Sequence, residues 1–558
     1  MRLKIFIILI FILYQTNTFA STDDKNDFNH KYLSSYFSAL LSFGNQNNDK
    51  ALKFFETSKY IKESHGEFLK GYVCSLVFDG QIKKAINQIK STRKSENSNF
   101  FEARLLLVLD LILKKKYVQA SKIIKSFKIS ETNTYEFIIF ETLNDFNNLF
   151  KTKKIQNSTN DFGKLGVITK AFQNCYLNLG KTDTHFLNLI NSAEGDYSRY
   201  LFFYLSNVIE KEDYQTAKQI SKTIEPFLST LLISQTKSWI DEGKFSKFSK
   251  YFSCQSEKDI LGEFFFLISN LYSSESIFSS SNFYLSISNY LNPKFYFNLS
   301  LLVENYIENN NYDIPKKILE KFVTDDEIYS WYKIKKIAEI ISIEKGDEDA
   351  LIYIENNVSK IQKKSPKIIY DLANIYKNFK KYQKAIDFYT QVLNKVDNNS
   401  NIYADILYRR GGSYERLKDY ENADKDLLNS LDIRSDHAYT LNYLAYSWLE
   451  RNIKIETAMR MLTKAYKLNE DDPYITDSIG WGHYLIGDFI NAEKYLRKAV
   501  ELMPDDPIVN DHYGDVLWQL NRKLQAKYFW ENVLKLDETE EEMKKEIEKK
   551  LIDGPKKI

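Results

Sequence analysis

Ser478, His512 and the acids Asp477 and Asp511 are the residues whose types could do chemistry together. A serine hydroxyl, an imidazole base and an orienting carboxylate are the parts of a hydrolytic triad. Nothing around Ser478 resembles a nucleophile elbow, however, and no oxyanion hole is apparent. The plainer reading is polar surface residues together with acids near helix starts, where the helix dipole stabilises negative charge. The other histidines, His30, His65, His185, His437 and His483, stand at no metal-ligand spacing. Gly411-Gly412 falls inside an expected helix and is no phosphate loop. Cys74, Cys175 and Cys254 form no C-x-x-C pair, and three cysteines leave at least one unpaired. They are expected as small buried hydrophobes, with a disulfide or a reactive thiol as the alternative. The residues therefore call for no enzyme, no cofactor and no metal.

The elements that must position these residues show a period. Between Ile369 and Leu536 the small anchors Ala385, Ala423, Ala458, Ala492 and Ala526 step by 38, 35, 34 and 34 residues. About twelve positions before each comes another small residue: Ala373, Gly411, Ala445, Gly480 and Gly514. An aromatic stands three places before the anchor at Tyr382, Tyr420 and Phe489, and Asp472-Pro473 and Asp506-Pro507 mark helix starts. Each period predicts two antiparallel helices that approach closely at the small residues, so a unit is stable only when stacked on neighbours. The pattern resembles the tetratricopeptide repeat family, and the resemblance implies an all-α fold, an α-solenoid of stacked helical hairpins.

Projecting the step backwards finds Ala350, Pro315, Ser281, Phe248, Ala217, Ala120, Ala85 and Ala51 in the same phase. Pro315 is tolerable only in the first turn of its helix, which predicts a late start or a kink there. The gap from Ala120 to Ala217 would hold two more units, with a polar loop from Asn157 to Asp161. Asn398 to Asn401 reads as a longer loop. The expected organisation is a signal peptide at 1–20, degenerate repeats at 21–260, divergent repeats at 261–364 and well-matched repeats at 365–537. A capping helix and tail at 538–558 follow, with Met543, Ile547 and Leu551 forming one apolar stripe. No residue pattern states whether such a solenoid curls until its ends meet.

Arg2 and Lys4 precede an apolar run from Ile5 to Tyr14, and Thr18 and Ala20 supply small residues for cleavage. The run is too short to span a membrane as a helix. This predicts export, to the periplasm or the periplasmic face of the outer membrane, and no cysteine stands near the cleavage site to carry a lipid. Lys plus Arg is 77 and Asp plus Glu is 75, a balance that excludes a general nucleic-acid binder. Scarce Gly (18) and Pro (8) suit a helical chain.

In the resembled family the concave surface is lined by fixed positions of each first helix. For the last three repeats the resemblance implies Tyr439, Asn442, Tyr446 and Leu449, then Tyr474, Asp477, Trp481 and Tyr484, then Ile508, Asp511, Asp515 and Trp518. Aromatic and acidic residues stand where a solvated helix face would carry Lys, Glu and Gln, and exposed aromatics beside fixed acids are the composition of a binding surface. Packing of Trp481 and Trp518 between units is the alternative. The implied function is a non-enzymatic scaffold or adaptor that binds a protein segment in this groove. Since Asp477 and Asp511 stand where carboxylate-gripping members of the family carry Lys or Arg, a segment bearing Arg, Lys or aromatic side chains is expected. The C-terminal repeats are similar to those of envelope adaptors serving a carboxyl-terminal processing protease, which implies an envelope protease or outer-membrane assembly component as partner. A structural part in an export or polysaccharide-secretion complex is the alternative.

Overall fold

The computed structural model describes residues 30–62, 66–92, 95–126, 134–156, 162–192, 198–322, 326–361 and 364–555. The expected signal peptide and the loop from Asn157 to Asp161 lie outside them. Among the described residues the chain is all α-helix, thirty α-helices and no strand. None is long and apolar enough to cross a membrane. The helices form two compact units, residues 1–224 with 230–322, and residues 225–229 with 323–558.

The repeat phase is written into the backbone. Every projected anchor, from Ala51 through Phe248, Ser281 and Pro315 to Ala526, is buried. Five residues before the anchor, the turn between paired helices holds one left-handed residue: Gln46, Gly80, Lys115, Glu212, Gly243, Ser276, Asn310, Lys380, Lys418, Gly487 and Asn521. Such a residue ends a helix and reverses the chain, and its amide satisfies a carbonyl of the last turn. Pro315 lies in the first turn of Asp313–Leu319, where its missing amide costs nothing, and that helix is only 7 residues long.

The first unit departs from an open stack. Gly66–Phe78 packs on Phe278–Leu291, the Phe78 and Phe283 rings meet edge-on at 6.3 Å, and Lys317 Nζ lies 2.9 Å from Asp49. Early and late hairpins of this unit therefore touch. The gap between Ala120 and Ala217 is filled by one long helix, Thr134–Thr152, and the hairpin Lys164–Tyr176 with Thr182–Ile190. Cys175 and Cys254 form a disulfide, Cα atoms 5.6 Å apart, and Cys74 is buried and free. The expectation of small buried hydrophobes gives way here to its alternative, a disulfide, and Cys74 is the cysteine left unpaired. The fold brings a helix end and a turn together across 79 residues of sequence, which spacing alone does not show.

The second unit begins with the pair Glu327–Lys345 and Asp347–Val358, and five hairpins follow. Their first helices are Pro366–Asn378, Asn401–Arg416, Ala438–Glu450, Pro473–Leu485 and Pro507–Gln519. Asp472 Oδ1 accepts from Ile475 N at 3.0 Å, and Asp506 Oδ1 from Val509 N at 2.9 Å, each capping a helix that opens on proline. A Cβ on Gly480 would stand 2.7 Å from Leu496, so only glycine permits that approach. The expected longer loop is present, spanning 394–400 and ending one residue short of its expected end, since Asn401 opens the helix. Ser400 caps that helix, accepting from Tyr403 N at 3.2 Å, and the insertion partly lengthens it to 16 residues. The closing helix Glu541–Asp553 buries Ile547 completely against the fifth hairpin.

Candidate interaction surface

First helices turn one edge toward a common inner face in the second unit. Side chains from the first three hairpins, from the start of the fifth and from the closing segment enclose a cavity of about 610 Å³ on that face. The early hairpins contribute cations, Lys377, Lys380, Arg409 and Arg416. The late end contributes Asp506, Glu538 and Glu540. Lys380 Nζ and Glu540 join the two groups at 3.0 Å, both well exposed.

The cations differ in how well they are compensated. Arg409 Nε donates to Asp405 at 2.9 Å, and its Nη1 to Asn374 at 3.3 Å. Arg416 reaches Glu415 at 3.9 Å, and Glu415 also accepts from the Tyr443 hydroxyl at 3.0 Å. The half-buried Lys377 ammonium makes no hydrogen bond or ion pair among the described residues. Burial, and then the neighbouring Arg409 and Arg416, hold its pKa below the usual lysine range.

The residues implied by the family positions divide in two. Tyr439 and Tyr474 are 44% and 57% exposed, and Ile508, at the same position of the fifth hairpin, is 54% exposed. They form an apolar stripe, one residue per repeat, that reaches the cavity at Ile508. Asn442 and Tyr446 are partly buried.

The others are engaged within the chain. Trp481 stacks on His512 at 4.0 Å and on Tyr484 at 4.5 Å, and its indole nitrogen donates to Glu450 at 2.7 Å. Asp477 lies 3.0 Å from His512 Nδ1. Lys550 of the closing helix donates to Asp511 at 2.7 Å and to Asp515 at 2.9 Å. Trp518 faces Trp530 at 5.4 Å, and a Cβ on Gly554 would stand 2.5 Å from its ring. Trp481 and Trp518 thus pack between elements, and the closing helix lies over Asp511 and Asp515.

Ser478 Oγ donates to the Tyr474 carbonyl of its own helix at 2.8 Å. No cluster able to hold a metal ion occurs among the described residues. The cations of the first two hairpins are the residues that sequence reasoning missed. Carrying the family's groove positions two hairpins further back, to Pro366–Asn378, reaches Lys377.

A tetratricopeptide repeat family model matches residues 366–394 and 404–437. The chain is similar to a TPR repeat-containing protein of Pseudomonas aeruginosa, 39% identical over 92 residues, which is 16% of each chain. The matched segment therefore spans well under a fifth of that relative. Among solved structures it is similar to a tetratricopeptide repeat protein of Parabacteroides merdae, 15% identical with a TM-score of 0.38, covering 45% of this chain and 97% of that one. It is also similar to a thermophilic TPR protein of Thermus thermophilus, 16% identical with a TM-score of 0.30, covering 34% of this chain and all of that one.

Proposed function

Because the chain carries tetratricopeptide repeats, we propose that it is a non-enzymatic scaffold or adaptor of the bacterial cell envelope. On this reading it is exported to the periplasm or the periplasmic face of the outer membrane. There it holds a segment of a partner protein on the inner face of its second unit and recruits an envelope protease or assembly machine. The observation that carries the reading is the stripe of Tyr439, Tyr474 and Ile508 running to a cavity of about 610 Å³. Exposed large side chains repeat at one position of successive first helices, the Tyr439 hydroxyl also donating to Asp472 at 3.0 Å, and such patches mark interaction sites. A non-catalytic role is supported by the donation of Ser478 Oγ to the Tyr474 carbonyl of its own helix.

Crosslinking in the native envelope followed by mass spectrometry tests this, comparing the whole chain with the variant Tyr439→Ala/Tyr474→Ala. The expected result is one dominant partner whose yield falls sharply in the variant. A fixed set of several membrane proteins, recovered equally with both, would instead support a structural part in an export or polysaccharide-secretion complex. Absence of any crosslinked protein would reject the scaffold reading.

A further inference from the structure

We propose that the cavity of the second unit receives an acidic segment of the partner polypeptide, its side-chain carboxylates taken by Lys377, Arg409 and Arg416 and its apolar side chains by the Tyr474–Ile508 stripe. This deepens the reading above and rests on it.

Charge complementarity carries the choice of occupant. Three cations converge on one cavity, and their neighbours compensate them unequally. Arg409 is met by Asp405, Arg416 stands 3.9 Å from a carboxylate that Tyr443 already uses, and Lys377 has no partner among the described residues. A half-buried ammonium beside two guanidinium groups is unfavourable in the free chain, because burial removes water while like charges repel it. Its lowered pKa is the signature of that cost. An arriving carboxylate removes the repulsion and supplies the missing hydrogen bonds, and hydrogen bonds between ions are among the stronger ones.

The closing segment shows the same chemistry in miniature. Glu538 and Glu540 line this cavity, and Glu540 pairs with Lys380 at 3.0 Å. That pair is exposed, so it is weak and displaceable. These carboxylates thus lie on the wall of the same cavity, as like charge that an arriving acidic segment must meet. Asp477, Asp511 and Asp515 offer no comparable pull on a basic segment, since His512 and Lys550 already meet them.

The test is fluorescence anisotropy with the full chain and the fluorescein-labelled peptide Gly-Glu-Glu-Phe-Glu-Glu-amide, whose amidated end removes the terminal carboxylate. Its lysine counterpart and inorganic phosphate are the controls. The glutamate peptide is expected to bind saturably and the lysine peptide not to bind. Lys377→Met/Arg416→Met is expected to weaken binding by about tenfold or more, as loss of complementary charge at an interface does. Raised salt weakens it as well. Glu540→Ala, which removes a like charge from the cavity wall and touches no buried group, is expected to tighten it.

Absence of saturable binding, undiminished binding by Lys377→Met/Arg416→Met, or unchanged binding by Glu540→Ala overturns the proposal. Displacement by phosphate at the peptide's own concentration overturns it too, by reducing the site to one for a free anion. The envelope crosslink separates this failure from that of the underlying reading. A partner lost in Tyr439→Ala/Tyr474→Ala but kept in Lys377→Met/Arg416→Met sinks only the acidic-segment proposal.

Discussion

Lys550 donates to two carboxylates at once, Asp511 at 2.7 Å and Asp515 at 2.9 Å, and so ties the closing helix to the fifth hairpin. All three side chains are largely buried. Burial first, and then the neighbouring Asp511, push the Asp515 carboxyl up to about 6, and Lys550 opposes both. Lys550→Met leaves two buried carboxylates uncompensated, which costs on the order of 3–5 kcal/mol when they are ionised. An unpaired carboxylate destabilises only in its charged form, so the loss is expected in full above about pH 7 and should shrink toward pH 4. Urea unfolding of the variant and the parent at both pH values checks it. An equal loss at both would mean that the lysine acts through its aliphatic stem.

His512 gives a second dependence on pH. Burial would lower its pKa, but the Asp477 carboxylate 3.0 Å away, with Asp511 and Asp515 adding to it, raises it above the usual histidine value. A histidine with a raised folded pKa contributes stability that is complete below its unfolded value, about 6.5, and is lost as pH rises through the folded value. The C-terminal repeats are therefore expected to lose stability as pH rises above about 6.5. His512→Gln should flatten that part of the curve. Chemical denaturation followed by tryptophan emission across pH 6 to 9 reads it, because Trp481 stacks on the imidazole.

These two clusters show what was legible in the sequence. The hairpins were, because packing two helices demands a small residue at a fixed place, and Ala385, Gly480 and Ala526 meet that demand by identity alone. The family positions also named Asp477, Asp511 and Asp515. They could not name Lys550 as the group that meets Asp511 and Asp515, since a salt bridge between elements depends on where a closing helix comes to rest. His512 and Asp477, by contrast, already stood together among the candidate residues. Lys377 illustrates the opposite gap. Its position on the helix is legible, but its lack of a partner and the nearness of Arg409 and Arg416 exist only once the hairpins are stacked. The disulfide was illegible for the same reason, with 79 residues between its cysteines.

Arg199 and Glu263 form a two-pronged pair in the first unit, 2.7 Å at each prong, with Asn298 on the same guanidinium and the Phe266 ring 3.8 Å away. Glu263 is almost fully buried. Arg199→Met leaves that carboxylate alone and is expected to cost about 3–5 kcal/mol. Arg199→Met/Glu263→Met removes both charges and should recover most of the loss, because apolar groups of similar volume replace a buried pair well. Melting curves of the two variants decide between pairing and packing as the source of stability. A double variant no better than the single one would assign the site to packing.

The Cys175–Cys254 bridge closes a long loop, and such a cross-link stabilises chiefly by restricting the unfolded chain. For a loop of this length the chain-entropy relation gives about 4.5 kcal/mol. Cys175→Ser/Cys254→Ser is accordingly expected to lower the unfolding midpoint of the first unit. Reductant should lower that of the parent and leave the variant unchanged. Cys74 supplies the internal control, since burial pushes its thiol well above the ordinary cysteine range and leaves it inert. A thiol reagent applied to the unreduced chain should find nothing to react with in buffer and one group in denaturant. More than one reactive thiol in denaturant would show that the bridge is not formed, and the expected loss of stability would then have no source.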